Sequence, residues 1–366
     1  MKHSVTFGFL GEKIPDWALQ TLDQMLVQCS GNLAKRIKTP SLNLSLQIMI
    51  QPVDRDTLSS LAATPGHQFF LIAFPESPQK PLPDINFTKA DLMLNLNLKD
   101  ASQRHIKRFV ELLFGNPFHT PDPPEQAMMM AHVARLASSD LSRQVGAALF
   151  DAEGDLISTG YNEVPKAGGG FYTNECPSNN DARDFQLQRN SSFDAKKEIY
   201  QQILAFLKEH KKIPVPDDFL DQASLEKDLI DLKEHTNFMN ILEYSRNVHA
   251  EMSCLISALG TGRSVKGGSL YTTTFPCHKC TKHLVAAGLK KVVYLDSFNK
   301  SRAFDLFGDS ITFPPPEATQ KKALNRDKVV FESFLGVTPR QYSLFEALKR
   351  EDHKEKMVTW IPRWRL

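Results

Sequence analysis

A histidine and two cysteines in two short fragments set the tightest limit on how this chain folds. The first, "VHAEMSC" from Val248 to Cys254, puts His249 two residues ahead of Glu251, at the head of a helix-like run with apolar Met252, Leu255, Ile256 and Leu259. The second, "FPCHKC" from Phe275 to Cys280, closes a strand-like segment and opens another helix. Both fragments fall at strand-helix junctions. One imidazole and two potential thiolates suit zinc, and three protein ligands leave a fourth position open, the mark of a catalytic rather than a structural site. An ion held in this way lowers the pKa of water toward neutrality. The Cys277-x-x-Cys280 pair at a helix start gains from unpaired backbone amides and the positive dipole end, both of which favour thiolates. Residues i and i+2 diverge inside a helix, so His249 and Glu251 belong to the first turn, with Asn247 as the expected N-cap. Glu251 is then free of the metal and able to shuttle protons.

The 366 residues leave room for two domains or one large domain with insertions, and 41% hydrophobic content is enough for substantial cores. A formal net charge of +2 comes from nearly balanced acids and bases, so no global basic field calls for a large nucleic-acid partner. No apolar run approaches the length needed to cross a bilayer, and the N-terminal stretch is too short in apolar residues for a signal peptide; the expectation is a soluble, cytoplasmic protein. Five cysteines, Cys29, Cys176, Cys254, Cys277 and Cys280, suit a reducing compartment.

Residues 1–115 alternate strand-like and helix-like segments: "SVTFGFL", "PDWALQTLDQML", "LNLSLQIMI", "HQFFLIAF", "ADLMLNLNL" and "ASQRHIKRFVELLFG". In the last, Ile106, Phe109, Val110 and Leu113 recur at helical spacing, so an α/β layer domain is expected. "GNPFHTPDPPE", Gly115 to Glu125, holds four prolines and is the expected linker. A second domain over 116–366 follows. "QAMMMAHVARLA" is helix-like, and "QVGAALFD" and "GDLISTGYN" form two strands joined by a turn at Ala152 to Asp155. A mostly polar insertion at about 163–245 contains the amphipathic "FDAKKEIYQQILAFLKEHKK". The His249 helix, the strand-like "GGSLYTTTF", the helix after Cys277 and the strand "KKVVYLD" complete it.

The two fragments together reproduce H-x-E followed by P-C-x-x-C, the signature of zinc-dependent nucleobase deaminases. With "SSDLSRQVGAALF" before the hairpin and "GYNEVP" after it, the chain resembles the deoxycytidylate deaminase branch of the cytidine deaminase superfamily. "NEVPKAGGGFY", "DARDF", "VVYLDSFNKSRAFDLFGDSI" and "FESFLGVTPRQY" narrow the resemblance to bacterial antiphage dCTP/dCMP deaminases, over roughly 109–342. The resemblance implies a three-layer α/β/α deaminase core, one zinc per chain, and conversion of dCTP or dCMP to the uracil nucleotide with release of ammonia, depleting the deoxycytidine nucleotide pool during infection. It also implies a homo-oligomer, hexameric in much of that branch, and a nucleotide regulator. Such proteins resemble a P-loop kinase ahead of the deaminase, yet no G-x-x-x-x-G-K-[ST] occurs here; "GFLGEK", Gly8 to Lys13, has the wrong spacing. The expectation is a degenerate nucleotide-kinase-like domain over 1–115, serving in sensing, docking or oligomer contacts.

Matching motifs gives Glu251 the proton transfers, His249, Cys277 and Cys280 the metal, and Asn162 of "GYN" the deoxyribose 3'-hydroxyl. Ser142, Arg143 and Gln144 precede the first core strand, where Arg143 can fork onto a phosphate. Lys166 with Gly168, Gly169 and Gly170 either wraps phosphates through backbone amides or forms a flexible loop. Tyr294, Lys300 and Ser301 are candidate pocket or phosphate contacts, Tyr294 being equally suited to strand packing. Cys29 and Cys254 read as core residues, and Cys176 as a loop cysteine or a ligand of a second metal. Two other readings stay open. A deaminase acting on single-stranded DNA or tRNA needs a basic, aromatic-bearing groove. A binding protein with a merely structural zinc leaves Glu251 without a role.

Overall fold

A computed structural model describes residues 4–10, 15–34, 47–52, 67–73, 90–95, 98–116, 118–177, 180–210, 222–298, 300–314 and 328–344. In the N-terminal part, β1 (Ser4–Leu10) runs parallel to both β2 (Gln47–Pro52) and β3 (His67–Ala73), and β3 pairs in parallel with the short β4 (Leu92–Met93). Helices α1 (Asp16–Ala34) and α2 (Lys99–Leu113) accompany this sheet. Ile106, Phe109, Val110 and Leu113, the stripe expected from helical spacing, are fully buried, each stabilising by about 1.5–3 kcal/mol. Phe109 stands edge-on to Phe70, which stacks on Phe7 of β1. Gly11 to Lys13 of the "GFLGEK" stretch lie outside the described residues.

Helix α3 (Pro123–Arg135) starts within the proline-rich stretch expected to be a linker. Asp122 and Glu125 form a capping box, with proline in the first turn. That end of the stretch is a structural junction. Glu125, 1% exposed, accepts both guanidinium arms of Arg108 at 2.7 Å, the Tyr342 hydroxyl at 2.7 Å and the Val337 amide at 2.8 Å. The last of these orders β11 (Gly336–Val337), which pairs antiparallel with β4 and so adds a strand to the N-terminal sheet from beyond the 115/116 boundary.

The second sheet has the order β6-β5-β7-β8-β10-β9. It comprises the hairpin β5 (Gly146–Phe150) and β6 (Leu156–Tyr161), then β7 (Ser269–Thr274), β8 (Lys291–Asp296), β9 (Ile311–Thr312) and β10 (Val329–Ser333). β7 is antiparallel to β5; the pairs β7–β8, β8–β10 and β9–β10 are parallel. Residue alternation splits the core in two, as period-two strands require. Ala147, Leu149, Leu270, Val292 and Tyr294 pack with α7 (Ala250–Leu259) and α8 (His278–Ala286). Ala148, Tyr271, Val293 and Leu295 pack on the opposite face with Met128 and Ala131 of α3 and with Leu71, Ala73 and Met93 of the first sheet. The result is an α/β/α core with the N-terminal sheet laid against its α3 layer.

The insertion contributes the one-turn α4 (Asp184–Leu187), the long α5 (Ser191–Glu209) and α6 (Gln222–His235), followed by a 3₁₀ turn at Phe238–Asn240. Two short helices, α9 (Ala303–Phe307) and α10 (Pro339–Leu344), complete the described elements. No helix among the described residues is long and apolar enough to cross a membrane.

Candidate metal centre and active-site cavity

Helices α7 and α8 bring the two fragments together by their N-terminal ends. His249 is the N-cap residue of α7 and Cys277 that of α8, both in extended conformation. The expected N-cap, Asn247, lies outside the helix. Val248 exchanges backbone hydrogen bonds with Glu163 at 3.0 and 3.2 Å, which holds the chain extended up to His249 and postpones the first turn. Gly160 of β6 lets α7 approach: a Cβ there would lie 2.5 Å from the Cys254 nitrogen and 2.6 Å from the Ala250 oxygen.

The ligand atoms converge. His249 Nδ1 lies 3.3 Å from Cys277 Sγ and 3.4 Å from Cys280 Sγ, and all three atoms fall within 4.8 Å of one another. Tetrahedral zinc at its usual Zn–N and Zn–S lengths sets N···S edges of about 3.5 Å, so this donor set fits the ion. Hydrogen bonding to Cys277 raises His249 to about 9. Hydrogen bonds from Cys280 and His249 hold Cys277 well below the usual thiol range, and the same partnership with burial pushes Cys280 above it. Glu251, in the first turn of α7, is 4% exposed, with Oε2 3.4 Å from Cys280 Sγ. Burial, then the charge of Cys277, pushes its carboxyl up to about 7.

These residues open onto a cavity of about 960 Å³, large enough for a nucleotide. Asn162, Ser142 and Arg143 line it, as does Lys300. Asn162 is also an organiser of the preceding loop: its Oδ1 accepts from Ser138 Oγ and the Val145 amide, and its Nδ2 donates to the Arg143 carbonyl. Asp140 Oδ1 takes the amide and hydroxyl of Ser142, and Arg143 faces Asp296 at 3.5 Å.

Four expected contacts are placed elsewhere. Tyr294 sits in mid-strand of β8, buried, edge-on to Phe275, with its hydroxyl accepting from Ser333; it is a core residue outside the cavity lining, which the sheet reaches only at strand ends and the loops beyond them. Gln144 is exposed and binds the Asp140 carbonyl. Lys166 is exposed in a turn closed by its amide on the Gly170 carbonyl, away from the cavity lining. Ser301 braces the cysteine loop by donating to the Pro276 carbonyl. Cys29 and Cys254 are buried thiols, both raised by burial, and Cys176 is a half-buried loop residue.

Sequence reasoning missed the insertion's share of the wall. Lys196 of α5, Lys233 of α6 and Arg246 line the same cavity as Glu251. One signal was present: Lys196 falls three residues after Phe193 and four before Tyr200, on the apolar stripe of α5, where a lysine is out of place.

Residues 122–296 match the family described as the cytidine and deoxycytidylate deaminase zinc-binding region. A zinc-dependent hydrolase of the deoxycytidylate deaminase type is therefore what this segment and its His/Cys/Cys centre define. The chain is 28% identical over 175 residues to deoxycytidylate deaminase of Enterobacteria phage T4, covering 48% of this chain and 78% of the phage protein. It is 24% identical over 213 residues to deoxycytidylate deaminase of Homo sapiens, covering 58% and 79% respectively. Among solved structures, a dCMP deaminase of cyanophage S-TIM5 in complex with dCMP and dUMP aligns at 18% identity and a TM-score of 0.31, over 58% of this chain and 98% of that one.

Proposed function

We propose that the enzyme hydrolyses the exocyclic amine of deoxycytidine nucleotides, dCTP, dCMP or both, giving the uracil nucleotide and ammonia. The observation that carries this reading is the buried Glu251 beside the His249, Cys277, Cys280 cluster, opening onto a cavity that also holds cationic side chains. Zinc held by these three residues supplies Lewis acidity and an activated water. Glu251 takes one proton from the attacking water and places it on ring N3, then takes the second from the new C4 hydroxyl and delivers it to the departing amine. Water's oxygen forms the new bond to C4, the C4–N bond breaks, and no covalent enzyme intermediate is needed. Burial and the contact with Cys280 fix the Glu251 side chain beside the cluster. Asn162 keeps one Nδ2 hydrogen beyond its loop contacts for the sugar hydroxyl, and Ser142 and Arg143 offer donors for phosphate. Gln144, Lys166 and Tyr294 have no part in this assignment.

The resemblance of 109–342 to antiphage deaminases supports pool depletion during infection as the cellular role, in the cytoplasm, by a homo-oligomer under nucleotide control. We read 1–115 as a degenerate nucleotide-kinase-like unit ahead of the deaminase, a reading supported by its parallel sheet. The test is ammonia release by zinc-loaded protein offered dCMP, dCTP, CTP and single-stranded oligodeoxynucleotide in parallel, with Glu251→Ala as control. Turnover of a free deoxycytidine nucleotide that vanishes in the variant is expected. Turnover of the oligonucleotide alone would overturn the substrate assignment.

A further inference from the structure

Lys196 is a buried ammonium in the cavity wall. It is 6% exposed, yet among the described residues no carboxylate lies within ion-pair distance of it; its one hydrogen bond goes from Nζ to the Met239 carbonyl at 2.8 Å. An ammonium removed from water normally has an anionic partner, because leaving it without one is costly. Its surroundings make the position worse. Burial, and after it the nearby charge of Lys300, lower its pKa, and Glu243 offsets this only as the smaller contribution. Lys300 lines the same cavity from the loop after β8, on the other side of the chain's insertion. Two cations from distant parts of the sequence thus converge on one space, and neither the core nor a salt bridge accounts for the buried one.

The remaining cationic wall residues differ in kind. Arg246 is committed to Asp184 and the Ala182 carbonyl, Arg143 faces Asp296, and Lys233 of α6 is exposed, so water solvates its charge. Lys196 keeps two of its three N–H donors beyond the Met239 bond. The wall beside it also contains the start of the nineteen-residue helix α5, with Asn190, Ser192 and Phe193 lining the cavity and Asn190 capping the Phe193 amide. A helix start and two lysines place positive potential at one part of the wall.

Resting on the reading that this cavity accepts a deoxycytidine nucleotide, we propose that Lys196, with Lys300, forms a subsite for the terminal phosphates of the substrate and makes Lys196 a determinant of triphosphate over monophosphate preference. The chemistry recognised is a polyphosphate tail: its oxygens supply the counter-charge that Lys196 lacks and relieve the repulsion between the two lysines. The insertion then has a catalytic purpose, since neither α7 nor α8 places a lysine or arginine in the described lining of this cavity.

The experiment compares kcat/KM for dCTP and dCMP in wild-type protein, Lys196→Met and Lys300→Met, with thermal melting and zinc content as controls on folding. Methionine keeps the length and apolar stem of lysine while removing the charge. In K196M, dCTP efficiency is expected to fall about ten- to hundredfold, with dCMP changing less than about threefold. The exposed Lys300 variant, which leaves the core untouched, should lose dCTP efficiency in the same sense by a smaller factor. Equal losses on both nucleotides, or none, would overturn the subsite. Calorimetric binding of inorganic tripolyphosphate to the zinc-loaded protein separates this inference from the deaminase reading. Binding that K300M and a folded K196M weaken upholds the subsite even if neither nucleotide is turned over, whereas unaltered binding in K300M refutes it.

Discussion

Glu251 and Cys280 touch, at 3.4 Å, but their loss should register differently. Glu251 is not one of the three clustered ligand atoms, so Glu251→Gln keeps its shape and leaves His249, Cys277 and Cys280 in place. We expect Glu251→Gln to retain one zinc per chain by elemental analysis while kcat falls about 10²–10⁴-fold, the usual worth of a positioned proton-transfer group. Cys280→Ser should lose both zinc and activity, because a hydroxyl is a far poorer ligand than a thiolate. Full zinc with full turnover in Glu251→Gln would remove the carboxylate from the reaction. At this scale the sequence was most legible, since ligand type and spacing are local chemistry. Tyr294 misled for a local reason as well: an aromatic in an apolar strand reads the same whether its hydroxyl meets substrate or Ser333.

Among elements, the approach of α7 to β6 fixes where His249 and Glu251 stand, and it depends on one missing side chain. A methyl at Gly160 would meet the α7 backbone at 2.5–2.6 Å, with nothing flexible to yield, so the helix must shift outward. Gly160→Ala is expected to cost about 1–3 kcal/mol of stability, and to weaken zinc in chelator competition as His249 moves off the cysteines. Wild-type denaturation together with wild-type zinc affinity would show that α7 does not depend on this contact. The hairpin, α2, α7 and α8 were readable because their apolar residues recur with the period of the element they form. The insertion was readable only as helices. Where α5 and α6 land depends on tertiary contacts such as Lys196 on Met239, which leave no periodic trace beyond one lysine on an apolar stripe. The N-cap of α7 was likewise set from afar, by Glu163 holding Val248.

At the scale of the whole molecule, the proline-rich stretch promised a linker and instead ends in the Glu125 junction, because the partners of Glu125, Arg108 and Tyr342, are distant in sequence. A second clamp of the same kind joins Asp91, beside β4, to residues 338–341. This carboxylate is fully buried. Oδ2 accepts the Leu71 amide at 2.7 Å, Oδ1 accepts Gln341 at 2.6 Å and faces Arg340 at 3.4 Å, while Thr338 binds the carbonyls of Ala90 and Asp91. Burial outweighs Arg340 and the two hydrogen bonds, and lifts Asp91 from 3.8 to about 6. A folded-state pKa above the unfolded one means the native state binds the proton more tightly. The stability this contributes is fully present below about pH 4 and is lost as pH rises through about 6. Asp91→Asn removes the titration and keeps an acceptor for the Leu71 amide, while its new amide hydrogens require the Gln341 amide to turn over, an offset that does not vary with pH. The half-exposed Arg340 loses little, since water replaces its partner. The melting temperature of Asp91→Asn minus that of the wild type should therefore rise between pH 4 and pH 7, whatever its value at pH 4. A difference that stays flat, or falls, would mean that Asp91 remains ionised in the folded protein and that Arg340 with Gln341 outweighs its burial.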